Sequence, residues 1–292
     1  MTLQKRATLI ASLSAAFLAI SKLIVGIASN SVAILASAID SILDLAISLF
    51  NYLALQHSEK GADETFNYGR GKAEALASVV EGVIIILSGF LIVYEAIWKL
   101  REREEVVFLL PSVILMGISL LVTSILVIFL LHVARKTDNM IIKADALHYK
   151  SDLLSNGAVL LSLLCVMWFD FHALDSLLGI AMGVYLAYCA LSLVREGIAI
   201  LLDKAMPRAL VEKIIHAIRS HKSVQAFHDL KTREAGDDRF VEVHLVFERG
   251  ITLLSAHEVS DEVEAAIRAL DSRKRWNLTI HLDPYDDSVK KD

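Results

Sequence analysis

Residues 32–55 read VAILASAIDSILDLAISLFNYLAL, and this stretch decides the fold. It is long and apolar enough to cross a bilayer as a helix, which takes about 20 residues. Yet two acids, Asp40 and Asp44, stand near its middle. A spacing of four puts both on one helical face, about one turn apart. Ionisable groups at that depth are costly, so each needs a physical reason. Two unpaired carboxylates there repel each other, and each loses several kcal/mol of hydration. A cation held between them removes both penalties. Ser37, Ser41, Ser48 and Asn51 extend the same polar stripe, so this face looks inward or toward water.

Five more apolar segments of similar length lie near residues 7–28, 74–98, 107–131, 143–168 and 173–194. The chain is 55% hydrophobic with a mean hydropathy of +0.54, too apolar for an ordinary soluble enzyme of 292 residues. A formal net charge of −5 excludes the basic footprint of a nucleic-acid binder. Cys165 and Cys189 both lie in apolar runs and read as small core side chains. The first apolar run is long enough to span and reads as a retained helix, not a cleavable signal. Glu95 and Lys99 read as an interfacial i,i+4 pair.

Short-loop charges set the expected orientation. Lys5, Arg6, Lys60, Arg70, Lys72, Arg135, Lys136 and Lys143 fall on one side, against Lys99, Arg101 and Arg103 on the other. Both termini are therefore expected in the cytoplasm. Lys22 sits near the outer end of the first span and is expected to snorkel to the interface.

The fifth span repeats the polar pattern as His148 and Asp152, again at i and i+4, with Asp145 and Asn156 continuing the stripe. Two facing helices can thus offer three carboxylates and one imidazole. Such a set suits Zn²⁺, and also Fe²⁺, Mn²⁺, Co²⁺ or Cd²⁺, and is poor for Cu(I). A metal-free interhelical polar network is the other reading. Glu81, midway into the third span, reads either as a proton carrier or as a buried hydrogen-bonded acid.

Beyond Arg195 the composition changes, and domains are expected at 1–204 and 205–292. The tail reads as a small α+β unit with helices on one face of a sheet. Residues 208–221 have helical periodicity, strands are expected from Phe227 to Arg233 and from Phe240 to Phe247, and Gly236, Asp237 and Asp238 make the turn between them. Ser255 followed by Glu258 reads as a capping box opening a helix through Leu270. A last strand runs from Trp276 to Asp283. His281 and Asp283 share one strand face, and His244 faces away from Val243 and Leu245. His216 and His221 show no pattern and read as solvated.

Taken together, these residues resemble the cation diffusion facilitators, of the bacterial ferrous-iron/zinc type. The resemblance is carried by six spans, Asp40 and Asp44 in the second and His148 and Asp152 in the fifth. It also rests on the stretches Tyr68-Gly69-Arg70-Gly71-Lys72-Ala73-Glu74 and Leu147-His148-Tyr149-Lys150-Ser151-Asp152. It implies proton-coupled export of divalent metal across the bacterial inner membrane, a homodimer and a ferredoxin-like, metallochaperone-like tail. Asp40, Asp44, His148 and Asp152 would form the transport site. His228, His244, His257, His281 and Asp283 match the family's cytosolic metal positions. Lys72 and Asp203 match a charge pair between bundle and tail, or else are interfacial anchors. Zinc-transporting members bind another ion in the loop after the second span. Here Asp63 is kept, but Phe66 and Arg70 stand where histidines would fall, so that loop site is expected to be absent or weak. His57 is a substitute ligand or a solvated residue.

The expected chemistry is competition between metal and protons. His148, with an ordinary pKa of about 6.5, must be neutral to bind metal, so protonation expels it. No cofactor is expected: Zn²⁺ or Fe²⁺ is substrate and regulatory ligand, and the partners are protons, membrane lipid and a second copy. An intramembrane metallohydrolase would need a general base and an open metal position, and no HExxH or GxSxG occurs. A non-transporting assembly or metal-sensing subunit of the same fold is the alternative function.

Overall fold

The computed structural model describes residues 2–29, 32–102, 110–169 and 173–286. The chain forms two compact units, residues 1–198 and 199–292. The first is built from six long helices: α1 (Leu3–Ser29), α2 (Val32–Ser58), α3 (Lys72–Glu102), α4 (Leu110–Thr137), α5 (Met140–Phe169) and α6 (Ala173–Leu201). Among the described residues, five of them are long and apolar enough to cross a membrane: all but α5. At 30 residues α5 has the length. Its first half concentrates Lys143, Asp145, His148, Lys150 and Asp152, and the side chains of most of its second half lie outside the described residues. The expected Glu95–Lys99 pair, Arg103 and the Cys165 position fall on side chains outside the described residues.

Small residues let these helices close on one another. Ala7 and Ala11 of α1 pack with Leu126, Leu130 and Val133 of α4 and with Ile142, Ala146 and Tyr149 of α5. Leu55 of α2 meets Ala77 of α3 and Ile141 of α5. Helices α3 and α6 approach backbone to backbone. A Cβ added to Gly89 would lie 2.8 Å from the Gly183 carbonyl oxygen, and one on Gly183 would lie 2.6 Å from that of Gly89. Lipid is as apolar as leucine, so close van der Waals contact of this kind, and not hydrophobic burial, holds membrane helices together.

The second unit runs α7 (Arg208–Arg219), β1 (Ala226–Ala235), β2 (Asp238–Val246), α8 (Leu253–Arg268) and β3 (Arg275–Asp283). The sheet order is β1-β2-β3, antiparallel between β1 and β2 and parallel between β2 and β3. The turn between β1 and β2 is shorter than expected, Gly236 and Asp237, with Asp238 already in β2. Ile214 and Ile218 of α7 and Ala256, Val263 and Ile267 of α8 pack on Val241, Val243, Leu245 and Trp276. Both helices thus share one face of the sheet. Helix α8 opens before the expected Ser255: Thr252 is its N-cap, its hydroxyl accepting from the Ser255 N–H at 3.1 Å. Thr252 presents an oxygen to that orphan donor from outside the first turn, and Ser255 lies inside it.

Candidate metal centres

Helices α2 and α5 meet through their polar stripes. Ser41, Ser48 and Asn51 are buried, and the Tyr149 hydroxyl hydrogen-bonds Ser48 Oγ at 2.6 Å. That bond fixes the rotation of α5, so its neighbour His148 faces α2. His148 Nε2 lies 3.2 Å from Asp44 Oδ1 and 3.9 Å from Asp152 Oδ2. Ligand atoms of Asp44, His148 and Asp152 all lie within 4.8 Å of one another. Ligands around a tetrahedral ion with bonds of about 2.0–2.2 Å stand about 3.3–3.5 Å apart, so small side-chain adjustments would admit one. Asp152 Oδ2 is buried with no hydrogen-bond partner among the described residues, an acceptor left for a cation.

Asp40 stands apart from this cluster. It lies one turn before Asp44 and is exposed, and its carboxylate is not among the atoms within 4.8 Å. One chain therefore gathers three of the four expected ligands. Lys22 departs from expectation too. Its ammonium turns inward, donating to Ser41 Oγ at 2.7 Å and the Ser37 carbonyl at 3.4 Å, within electrostatic reach of Asp44, Asp152 and Asp40. Hydropathy gives depth along a helix but not its rotation, so the α2 hydroxyl and carbonyl that capture this amine left no mark in the α1 sequence.

Two caps hold the start of the site helix. Asn139 Oδ1 accepts the Ile142 N–H at 3.1 Å, and Glu74 accepts the Met140 N–H. Glu74 closes the Tyr68–Glu74 stretch, so that motif braces α5 from the start of α3. In the loop, Asp63 accepts the Thr65 and Phe66 N–H groups at 3.0 and 2.8 Å and pairs with Arg70 at 2.6 Å. The Phe66 N–H first, and then Arg70, hold its carboxyl below the usual range. Arg70 also stacks over the Phe66 ring, 4.3 Å from its centroid. Asp63 is thus tied into the loop's own fold. His57 ends α2 exposed and joins neither metal-type cluster among the described residues.

The second cluster lies on the sheet face opposite the helices. His228, His244 and His281 are direct register partners across β1, β2 and β3. Asp283 stands against all three: Oδ2 hydrogen-bonds His244 Nδ1 at 2.8 Å and lies 3.2 Å from His228 Nε2, and Oδ1 lies 3.2 Å from His281 Nε2. A bulge between His228 and Lys231, with Asp229 at a φ of 50°, bends β1 at this point. His257 is not brought here. It sits on α8, on the other side of the sheet, exposed and 3.8 Å from Asp261. His221 is not merely solvated: its Nε2 meets Glu262 at 2.7 Å. Lys72 opens α3, whereas Asp203 belongs to the second unit, where it receives Arg233 at 3.1 Å.

Comparison with known proteins matches residues 8–202 to the cation efflux transmembrane domain and residues 206–285 to the cation efflux protein cytoplasmic domain. The chain is 36% identical over 282 residues to the cation-efflux pump FieF of Shigella boydii, covering 97% of this chain and 93% of the relative. The FieF of Salmonella choleraesuis matches to the same extent, 36% identity over 97% and 93% of the two chains. A solved structure described as the putative zinc transporter CzrB in its zinc form is 35% identical. It covers 28% of this chain and 92% of that one, with a TM-score of 0.25.

Proposed function

The chain belongs to the cation efflux family, and from that premise we propose a proton-coupled exporter of Zn²⁺ or Fe²⁺ with Asp40, Asp44, His148 and Asp152 as its transport site. As a family member it is a multi-pass divalent-cation efflux transporter and not an enzyme. The observation that carries the site assignment is the convergence of Asp44, His148 and Asp152 from two helices within 4.8 Å. Asp40 is one turn away and is the fourth ligand, engaged when α2 shifts against α5.

Metal enters as substrate. Its binding requires neutral imidazole and ionised carboxylates, and protons arriving from the far side displace it. The bundle rocks to expose the site alternately to each side, with both termini on the cytoplasmic face of the bacterial inner membrane. The matched cytoplasmic domain belongs to a dimerising family, and a homodimer follows from that likeness. Cytosolic metal on His228, His244, His281 and Asp283 tightens the dimer. His257, distant within one chain, would contribute only across subunits.

The test is reconstitution into proteoliposomes with an acidic lumen and a lumenal zinc or iron dye. An imposed pH gradient should drive metal inward while protons leave at a proportional rate. Metal movement that ignores the gradient, with no proton counterflow, contradicts the coupling. No movement in vesicles of either orientation favours a non-transporting subunit.

A further inference from the structure

A second polar cluster lies deeper in the bundle. Asn51 of α2, Glu81 of α3 and Asp145 of α5 are 0%, 1% and 0% exposed. One amide nitrogen, Asn51 Nδ2, donates to both acids, at 2.9 Å to Glu81 Oε2 and 3.3 Å to Asp145 Oδ1. Three atoms are then left over: Asn51 Oδ1, Glu81 Oε1 and Asp145 Oδ2. Each is buried and has no hydrogen-bond partner among the described residues. Among those residues no lysine or arginine pairs with either acid.

This pattern is the reverse of a structural network. Buried polar groups that only serve packing close their donors and acceptors on one another. With both acids ionised every orphan is an oxygen acceptor, and the one amide donor is already spent. Turning the Asn51 amide over would set its oxygen against both carboxylates, so the acids themselves fix its orientation. Two ionised carboxylates with no lysine or arginine beside them cost several kcal/mol of lost hydration in such a place, so without a cation at least one must hold a proton. Nor does the surrounding wall help. Glu81 borders a cavity between α2 and α3 whose other lining residues, Leu43, Ala46, Ile47, Phe50, Val80 and Ile84, are all apolar.

Position gives the cluster a direction. Asp145 lies three residues before His148 on α5, and Asn51 seven after Asp44 on α2. At 1.5 Å per residue, that sets it about 5–10 Å from the Asp44–His148–Asp152 site. It lies toward the end of the bundle that carries the 59–71 loop and the α4–α5 junction.

We propose that Asn51, Glu81 and Asp145 form a second divalent-cation station, built only of oxygen donors, that an ion occupies between that end of the bundle and the His148 site. Two carboxylates and one amide oxygen neutralise a divalent ion and leave its other positions to water. Such a hard, incomplete set suits Fe²⁺ or Mn²⁺ and releases its ion readily. An ion here and one at His148 repel, so loading the first helps to expel the second. The proposal rests on the transport reading above.

Mn²⁺ is the probe, bound to the full chain in lipid nanodiscs with His228→Ala, His244→Ala and His281→Ala to silence the sheet cluster. Pulsed EPR separates an ion with imidazole nitrogen coupling, at His148, from one without. Two ions are expected, one of each kind. Glu81→Gln with Asp145→Asn, near-isosteric changes, should remove only the uncoupled ion and slow proteoliposome uptake about tenfold. An uncoupled ion that persists in that variant overturns the station. So does a wild type holding the nitrogen-coupled ion alone, which leaves the transport reading standing. A background protein holding neither also overturns the station, and zinc flux in proteoliposomes then decides the transport reading separately.

Discussion

At the residue scale, the proposed transport chemistry rests on one imidazole among carboxylates. His148 is the only nitrogen donor in its cluster, and nitrogen favours Zn²⁺ over the harder Mn²⁺. In competitive uptake, His148→Asp should shift preference from Zn²⁺ toward Mn²⁺ by about tenfold or more. An unchanged order would mean that the histidine does not set metal choice. Lys22 contributes a fixed positive charge beside the same carboxylates. Three ionised acids and one ammonium sum to −2, which a divalent ion cancels. Lys22→Met removes the repulsion, so metal should bind about tenfold more tightly and leave more slowly. Calorimetric affinity and turnover check this together, and a weaker affinity in the variant would contradict it. The ligand pairs were legible because i,i+4 spacing is a property of one helix. The inward turn of Lys22 was not, since it depends on a hydroxyl and a carbonyl contributed by another helix.

At the scale of elements, helix contacts in the bundle depend on what is missing from the side chains. Gly89 and Gly183 place α3 and α6 so close that a Cβ on either would collide with backbone. Gly183→Val should therefore lower the thermal midpoint in detergent by several degrees and reduce uptake. A midpoint within about one degree of wild type would show that the helices separate without cost. Which helix these glycines admit is a tertiary fact that spacing within one segment does not carry. Helix α5 shows the opposite limit. It was readable as a span from its apolar length at residues 143–168, and the i,i+4 spacing of His148 and Asp152 added the ligand face. In the tail, strict period-two alternation located β2 and β3 closely, while the start of α8 moved from Ser255 to Thr252. Several hydroxyls compete to cap that helix, and local sequence alone does not rank them.

For the whole molecule, two units carry two metal-type clusters with different architectures. One joins two helices inside the bundle; the other is a register row on a sheet face, where strand pairing alone aligns His228, His244 and His281. The row could not be read as a row from sequence, since the bulge in β1 and the parallel β2–β3 pairing fix its register. His257 matched by resemblance and yet lies across the sheet, because likeness places a residue in a family and not in a particular subunit's site. The most direct measurement of the central claim is metal flux into proteoliposomes by wild type and by Asp44→Asn with Asp152→Asn. Those near-isosteric changes remove the two carboxylates that face His148 and keep the bundle's packing. Wild type should show gradient-driven flux, and the double variant at least a hundredfold loss, at about 3 kcal/mol of lost binding. Flux retained within a factor of two would place the transported ion elsewhere.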